Sequence, residues 1–369
     1  MRRRTFICTT ATLPFVLFGC SPKKNEVKTQ EVTSTSAGGY ALLLENMGGG
    51  HRMDGSGEGR LVLLSSEVNR TVESVKFDPI DQASLLSHGR ELFWVGNDGL
   101  HTWEDSVLHT YPGLPVDGSL YELHRTDSGY LAAINGGAPQ ADSYVSGLIL
   151  LENEMKREWT HPGWLHSIAW VAGTVVGLTS PNLDDPMVTL TDLGPGDSRG
   201  RALGDAIDSS SVWGQLTRDG NRVMVFTTRA MAGAAAELLI VDVVSGSTIK
   251  HPLGGAGASF DVADWYAGSG PSNPILHEGQ LLWITGDTLW RTDPASGDTQ
   301  RVYDVVKSNS TSGVAHYLSS NGLLSTWRTE AGWNLEMRHL SSGEVIDTMQ
   351  GITVDGPPDL YVMGAVFLG

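Results

Sequence analysis

The strongest constraint on this chain is a pattern that it writes twice. Residues 84–111 read SLLSHGRELFWVGNDGLHTWEDSVLHTY, and residues 274–303 read PILHEGQLLWITGDTLWRTDPASGDTQRVY. In the first copy, 84–88, 91–96, 100–103 and 107–111 are short runs rich in Leu, Phe, Trp, Val and Tyr. Such residues suit a pleated, half-buried strand. Gly89, Asn97-Asp98-Gly99 and Asp105-Ser106 separate the runs with turn formers. In the second copy Glu278-Gly279 stands for His88-Gly89, and Leu281-Leu282-Trp283 for Leu92-Phe93-Trp94. A four-strand unit of this kind buries its faces only by packing against further copies of itself, which is how a propeller blade works.

Five further units follow the pattern, with strands named a to d from the axis outward. The second blade is the 84–111 unit and the sixth the 274–303 unit. The third takes 120–124, 130–135, 148–152 and 156–161, and the fourth 164–170, 174–179, 188–192 and 198–203. The fifth takes 212–217, 222–227, 237–243 and 248–253, and the seventh 314–319, 323–328, 334–340 and 345–350. Three strands (40–46, 59–64, 72–77) remain near the start and one (360–367) at the end. Together they make a first blade whose innermost strand is the C-terminal one. This closure seals the ring and removes two open sheet edges. The expectation is an all-β, seven-bladed β-propeller over residues 40–369, at about 47 residues per blade; eight blades is the rival count. No long stretch keeps a capped 3.6-residue apolar period, so almost no helix is expected.

The turns agree. Asp242-Val-Val-Ser-Gly246, Asp293-Pro-Ala-Ser-Gly297 and Leu340-Ser-Ser-Gly343 each place Gly where a tight c–d hairpin needs positive φ. The repeats resemble those of seven-bladed propellers of quinoprotein-like or Tyr-Val-Thr-Asn type. The quinoprotein blade motif A-x-D-x-x-T-G-x-x-x-W is degraded here: Asp293 and Gly297 fit, but Arg301 replaces the final Trp.

Residues 1–19 precede the fold. Arg2, Arg3 and Arg4 lead an apolar stretch from 6 to 18, too short for an ordinary transmembrane helix and typical of an export signal. Leu17-Phe18-Gly19-Cys20 resembles a bacterial lipobox. The resemblance implies cleavage before Cys20 and diacylglycerol on its sulfur; an ordinary cleaved signal is the alternative. Arg3-Arg4-Thr5-Phe6-Ile7 is similar to a twin-arginine export signal, with Arg2 where Ser or Thr is usual. Lipobox plus repeats gives a distant likeness to the outer-membrane-assembly propeller lipoproteins. Residues 20–39 then read as a lipidated Cys and a flexible tether. Cys8 leaves with the signal and Cys20 carries lipid, so no disulfide holds the mature domain. Losing residues 1–19 removes three arginines and moves the net charge from −17 to −20. That balance argues against nucleic acid and against direct adhesion to anionic lipid. Attachment to a membrane on its extracytoplasmic side is expected from the lipid anchor alone.

Loop length points to one end of the ring. In a propeller the b–c and d–a loops share one end, and the a–b and c–d turns share the other. The long insertions at 48–58, 136–146, 181–186, 229–235 and 254–272 all fall in the first group. Long connections commonly carry function, although Gly-rich tips are also simply tolerated. Asp261, Asp264, Trp265 and Tyr266 in the longest loop, Tyr144, and Asp184 with Asp185 are the candidate partner-binding residues. Aromatic rings beside carboxylates suit a peptide or a sugar face; Trp265-Tyr266 would equally serve as a plug in the ring.

His88, His124, His166, His277 and His316 fall on expected innermost strands and are the candidate polar groups of the channel. Propeller oxygenases that hold iron with four His give a metal ion on the axis an architectural precedent. The registers differ, however: His124 lies five residues before Gly129, and His166 seven before Gly173. Separate hydrogen-bonded histidines are therefore expected, with no metal and no cofactor. Asp184-Asp185 lacks a calcium-loop spacing, and Gly48-Gly49-Gly50 lacks the Lys-Ser/Thr of a phosphate cradle. G-x-S-x-G, H-E-x-x-H and a Cys nucleophile are absent from the sequence. The sequence therefore favours a non-enzymatic binding protein for an envelope protein, peptide or glycan. The alternative is a propeller hydrolase, lyase or quinone-dependent dehydrogenase acting on sugars or lactones.

Overall fold

The structure is a computed structural model and describes residues 28–31, 39–46, 58–65, 70–78, 80, 84–88, 91–104, 107–136, 144–181, 187–194, 201–203, 205, 207–208, 212–228, 236–254, 272–305, 314–354 and 360–368. These residues form seven antiparallel sheets and no helix. Each innermost strand packs on the next, from the first blade through the seventh and back to the first. The chain is a seven-bladed β-propeller, not an eight-bladed one.

The closure is the expected one. In the first blade Leu360–Phe367 lies innermost, followed by Gly39–Asn46, Gly59–Ser65 and Arg70–Phe77. Residues 40 and 367 face each other across the two ends of the chain, with their rings 5.3 Å apart. Tyr40 also donates its hydroxyl to Asp347 Oδ2 of the seventh blade at 2.8 Å. Tyr317 of that blade donates to the carbonyl of Val362.

The repeated sequence pattern folds twice into the same geometry. Leu92-Phe93-Trp94 lies on Glu91–Gly96 and Leu281-Leu282-Trp283 on Gln280–Thr285, each the second strand of its blade. Trp94 and Trp283 are fully buried. Each stacks on the ring directly opposite it on the third strand, Trp94 on His101 at 5.0 Å and Trp283 on Trp290 at 5.8 Å. The apolar core lies between blades, in clusters that join neighbouring sheets around the ring. Alternation explains this, because each strand sends side chains to both faces and both faces meet another blade.

The c–d turns also behave as their residues require. Gly246, Gly297 and Gly343 sit at φ of 73°, 80° and 71°, in the left-handed region that a Cβ resists. Asp242 accepts the amides of Val244 and Ser245, and Asp293 that of Ala295.

Three features depart from expectation. Lys28–Glu31, within the expected tether, is a fifth strand on the outer edge of the second blade, where it pairs with Val107–Pro112. The outer strand of the fourth blade, expected at 198–203, is split: Arg201–Ala202 pairs with one end of Met187–Asp192 and Ile207–Asp208 with the other. The c–d connection of that blade therefore spans 193–200, longer than the other turns at its end of the ring. Finally, several innermost strands carry a register shift. Met363, Tyr121 and His166 are the extra residues in the first, third and fourth blades, and the fifth and sixth blades shift in the same region. A bulge bends its strand and re-aims a side chain.

Successive strands of a sheet rotate by about 20–25°, so the outermost strand lies roughly 70° from the innermost. On the outer wall the end of one blade's last strand therefore meets the start of the next blade's. Lys156 of the third blade donates to the carbonyl of Pro112 at 2.8 Å. Gly254, after the fifth blade, bridges to Asp298 of the sixth.

Candidate functional site

The five histidines sit on innermost strands but do not converge. His88 and His277 occupy the last pairs before their a–b turns, and His124 the pair just inside that position. His166 and His316 lie near the opposite, loop-bearing end of their strands. Each of three has a separate partner: His124 Nε2 is 2.8 Å from Glu122 Oε2, His166 Nε2 is 2.7 Å from Ser180 Oγ, and His316 Nδ1 is 2.9 Å from Ser325 Oγ. Among the described residues no three His, Cys, Asp or Glu side chains come together as a metal-ligand set. The two Ser–His pairs hide their hydroxyls, since Ser180 is 4% exposed and Ser325 fully buried.

At the turn-bearing end, Glu122 and Ser167 together tie three blades. Glu122 Oε2 accepts the Ile168 amide at 2.8 Å and the Ser167 hydroxyl at 3.1 Å. Ser167 Oγ in turn accepts the Leu216 amide at 2.8 Å. Asp127, one turn further out, accepts Arg218 at 3.0 Å and Trp170 Nε1 at 3.2 Å. The guanidinium and then the indole hold its carboxyl below the usual carboxylate range.

At the loop-bearing end, between the third and fourth blades, the structure assembles an aromatic corner. Trp164 opens the innermost strand Trp164–Val171. Tyr144 meets its ring edge-on at 5.4 Å and 89°, and Tyr121 at 6.5 Å and 72°. All three are half-buried. Tyr121 is the bulge residue of its strand and donates to the His166 carbonyl at 2.5 Å. Burial first, and Glu122 second, push its hydroxyl above the ordinary tyrosine range.

A polar row holds the corner rigid. Ser119, Asn135, Ser146 and His161 are directly opposite one another across the four strands of the third blade, so they share one face. Asn135 Nδ2 donates to the Leu165 carbonyl at 2.9 Å and its Oδ1 accepts the Leu165 amide at 3.2 Å. Ser146 Oγ donates to the Gly163 carbonyl at 2.8 Å, and the Gly163 amide donates to Tyr144. The backbone on both sides of Trp164 is thus pinned before any ligand arrives. A partly exposed indole on a fixed backbone is suited to anchor a partner at low entropic cost.

Of the expected partner-binding residues, only Tyr144 is among those described, and it belongs to this corner. Asp184, Asp185, Asp261, Asp264, Trp265, Tyr266 and the expected lipidation residue Cys20 lie outside the described residues. Trp164, Tyr121 and the Asn135–Ser146 pair were missed in the sequence. Pro162-Gly163 just before Trp164 marks a turn into a strand, which is a readable signal. The bulge that brings Tyr121 to it is not.

Burial also sets a pH response. It lowers the pKa of His161, of His166 and of His316, the last partly opposed by Asp287. Their unfolded values lie near 6.5. Between the folded value and about 6.5 the unfolded chain binds more protons, so stability rises with pH there and is lost as pH falls. The urea midpoint is expected to drop from pH 7.5 to pH 5.5, and His316→Gln to shrink the drop. A flat or rising midpoint on acidification would contradict it. Glu58, Asp127, Asp242 and Asp293, all with lowered carboxyl pKa values, act only at more acid pH.

No protein-family model matches the sequence, and no curated protein matches it. Solved structures do. A mutant of the Synechocystis apocarotenoid oxygenase aligns at a TM-score of 0.53 and 9% identity, over 92% of this chain and 94% of that one. The monoclinic ACO/RPE65 chimera aligns at 0.52 and 10% identity over the same shares. At such identities the likeness shows the propeller fold and nothing finer.

Proposed function

We infer that the chain is a lipid-anchored extracytoplasmic propeller that binds an envelope protein, peptide or glycan through its loop-bearing end, without catalysis. The observation that carries this reading is the Tyr121–Tyr144–Trp164 corner. It lies on the elaborated end of the ring, partly exposed, on a backbone fixed by the Asn135 and Ser146 side chains. Rigid aromatic anchors of this kind dominate binding energies, and a fold shared with an oxygenase does not transfer an activity. The anchor comes from Leu17-Phe18-Gly19-Cys20.

The test is affinity capture from detergent-solubilised envelope on the immobilised domain, followed by titration of what is captured. Trp164→Ala is expected to weaken binding about tenfold, the ~1.4 kcal/mol of a modest anchor. A captured component that binds the variant as tightly as the parent, or that is competed only by probes of the turn-bearing end, would overturn the reading. Protein-dependent turnover of sugars or lactones would also overturn it.

A further inference from the structure

The short strand Lys28–Glu31 decides where a lipid anchor leaves the ring. It pairs antiparallel with the outermost strand of the second blade, Lys28 opposite Thr110 and Glu31 opposite Val107. The chain toward Cys20 therefore departs from the Thr110–Pro112 end of that strand. This end lies at the seam with the third blade, because the Pro112 and Gly113 carbonyls accept Lys156. Without the pairing, the first residue fixed to the ring would be Gly39, which begins the second strand of the first blade at the turn-bearing end.

Chain length makes the difference large. An extended chain covers at most about 3.6 Å per residue, so Cys20 reaches about 68 Å from Gly39 but only about 29 Å from Lys28. A compact body of this size measures roughly 50 Å across. A leash of about 68 Å leaves it free to turn over; one of about 29 Å from the outer wall does not.

We propose that Lys28–Glu31 is a latch that holds the propeller edge-on to its bilayer, the seam of the second and third blades nearest the lipid. The inference rests on the lipid-anchor reading of Cys20. Both ends of the ring then stand clear of the membrane plane. The aromatic corner of the third and fourth blades lies in the membrane-near half of the ring, where it meets partners lying within tens of ångströms of the bilayer. Added strands on sheet edges are a common recognition mode, and here the added strand is the chain's own.

Two measurements test this. In vesicles carrying a headgroup-labelled energy acceptor, the full-length lipoprotein bears a genetically encoded donor either at Met155, exposed on the third blade, or at Ala295, exposed on the sixth. Transfer from position 155 is expected to exceed that from 295 at least roughly twofold, and Thr29→Pro with Gln30→Pro, which strips the ladder of a donor, to bring the ratio near one. Equal transfer in the parent, or an unchanged ratio in the proline variant, overturns the latch. In the second measurement the soluble domain carries Thr29→Cys and His109→Cys, whose backbones are directly opposite and within disulfide reach. Oxidation is expected to cross-link them. A failure to cross-link overturns the latch itself. A cross-link in the soluble domain, together with a residue-20 peptide of the full-length chain that shows no mass gain, overturns the orientation through the anchor instead.

Discussion

Replacing Glu122 with alanine is expected to cost about 3 kcal/mol of unfolding free energy, since each buried group left unpaired costs about 1–3 kcal/mol. Glu122 is 3% exposed and holds the Ile168 amide, the Ser167 hydroxyl and the His124 ring with one oxygen. Alanine strands the amide and the hydroxyl in the seam between the third and fourth blades and leaves a void the size of the lost carboxyl. The damage reaches the fifth blade, because Ser167 Oγ also accepts the Leu216 amide. Urea unfolding should show a lower midpoint at an unchanged slope. Glu122→Gln, which keeps the shape and one acceptor, should lose less. Ser167→Ala combined with Glu122→Ala should cost less than the sum of the two, as expected of residues in one network. A loss below about 1 kcal/mol for Glu122→Ala would mean that the seam relaxes and the network is dispensable.

Ending the chain after residue 359 is expected to do more. It removes Leu360–Phe367, the innermost strand of the first blade, and with it the ladder to Gly39–Asn46. Leu42, Leu43 and Leu44, fully buried in the intact chain, would face an empty slot. The seventh blade would lose its contact with Val362. Native domains are stable by only about 5–15 kcal/mol, and an open edge over exposed leucines is a template for aggregation. The truncated chain should lose its cooperative thermal transition and leave the monomer peak in size exclusion. A truncated chain that still melts cooperatively as a monomer would show that the ring does not depend on its last strand.

Particular residues show how far the chain could be read without its fold. The Trp94 and Trp283 repeats, the Gly246, Gly297 and Gly343 turns and the C-terminal closing strand were legible. Each is written in a few consecutive residues or in their recurrence. The split outer strand at Arg201–Ala202 and Ile207–Asp208 was not, because Gly194, Pro195 and Gly196 mark a break without saying where pairing resumes. The tether was read by composition as unstructured. Four residues of it nonetheless pair, because the outermost strand of the second blade offers a backbone edge that accepts almost any sequence. Of the candidate site, Tyr144 was legible as an aromatic in a long loop, while its ring partners Trp164 and Tyr121 were not.

The sequence by itself determined the propeller architecture, with seven blades favoured over eight, the inner-to-outer order of the four strands expected in each blade, the seal between the two ends of the chain and the end of the ring that carries the long loops. Those follow from alternation, turn chemistry and repetition, all local properties of the backbone. Only the tertiary structure decided that the five histidines part toward opposite ends, that Glu122 and Ser167 together link three blades and that Trp164 meets two tyrosines. A bulge of one residue, or a neighbour 45 positions away, sets where those side chains point, and neither leaves a mark in the spacing of the residues themselves.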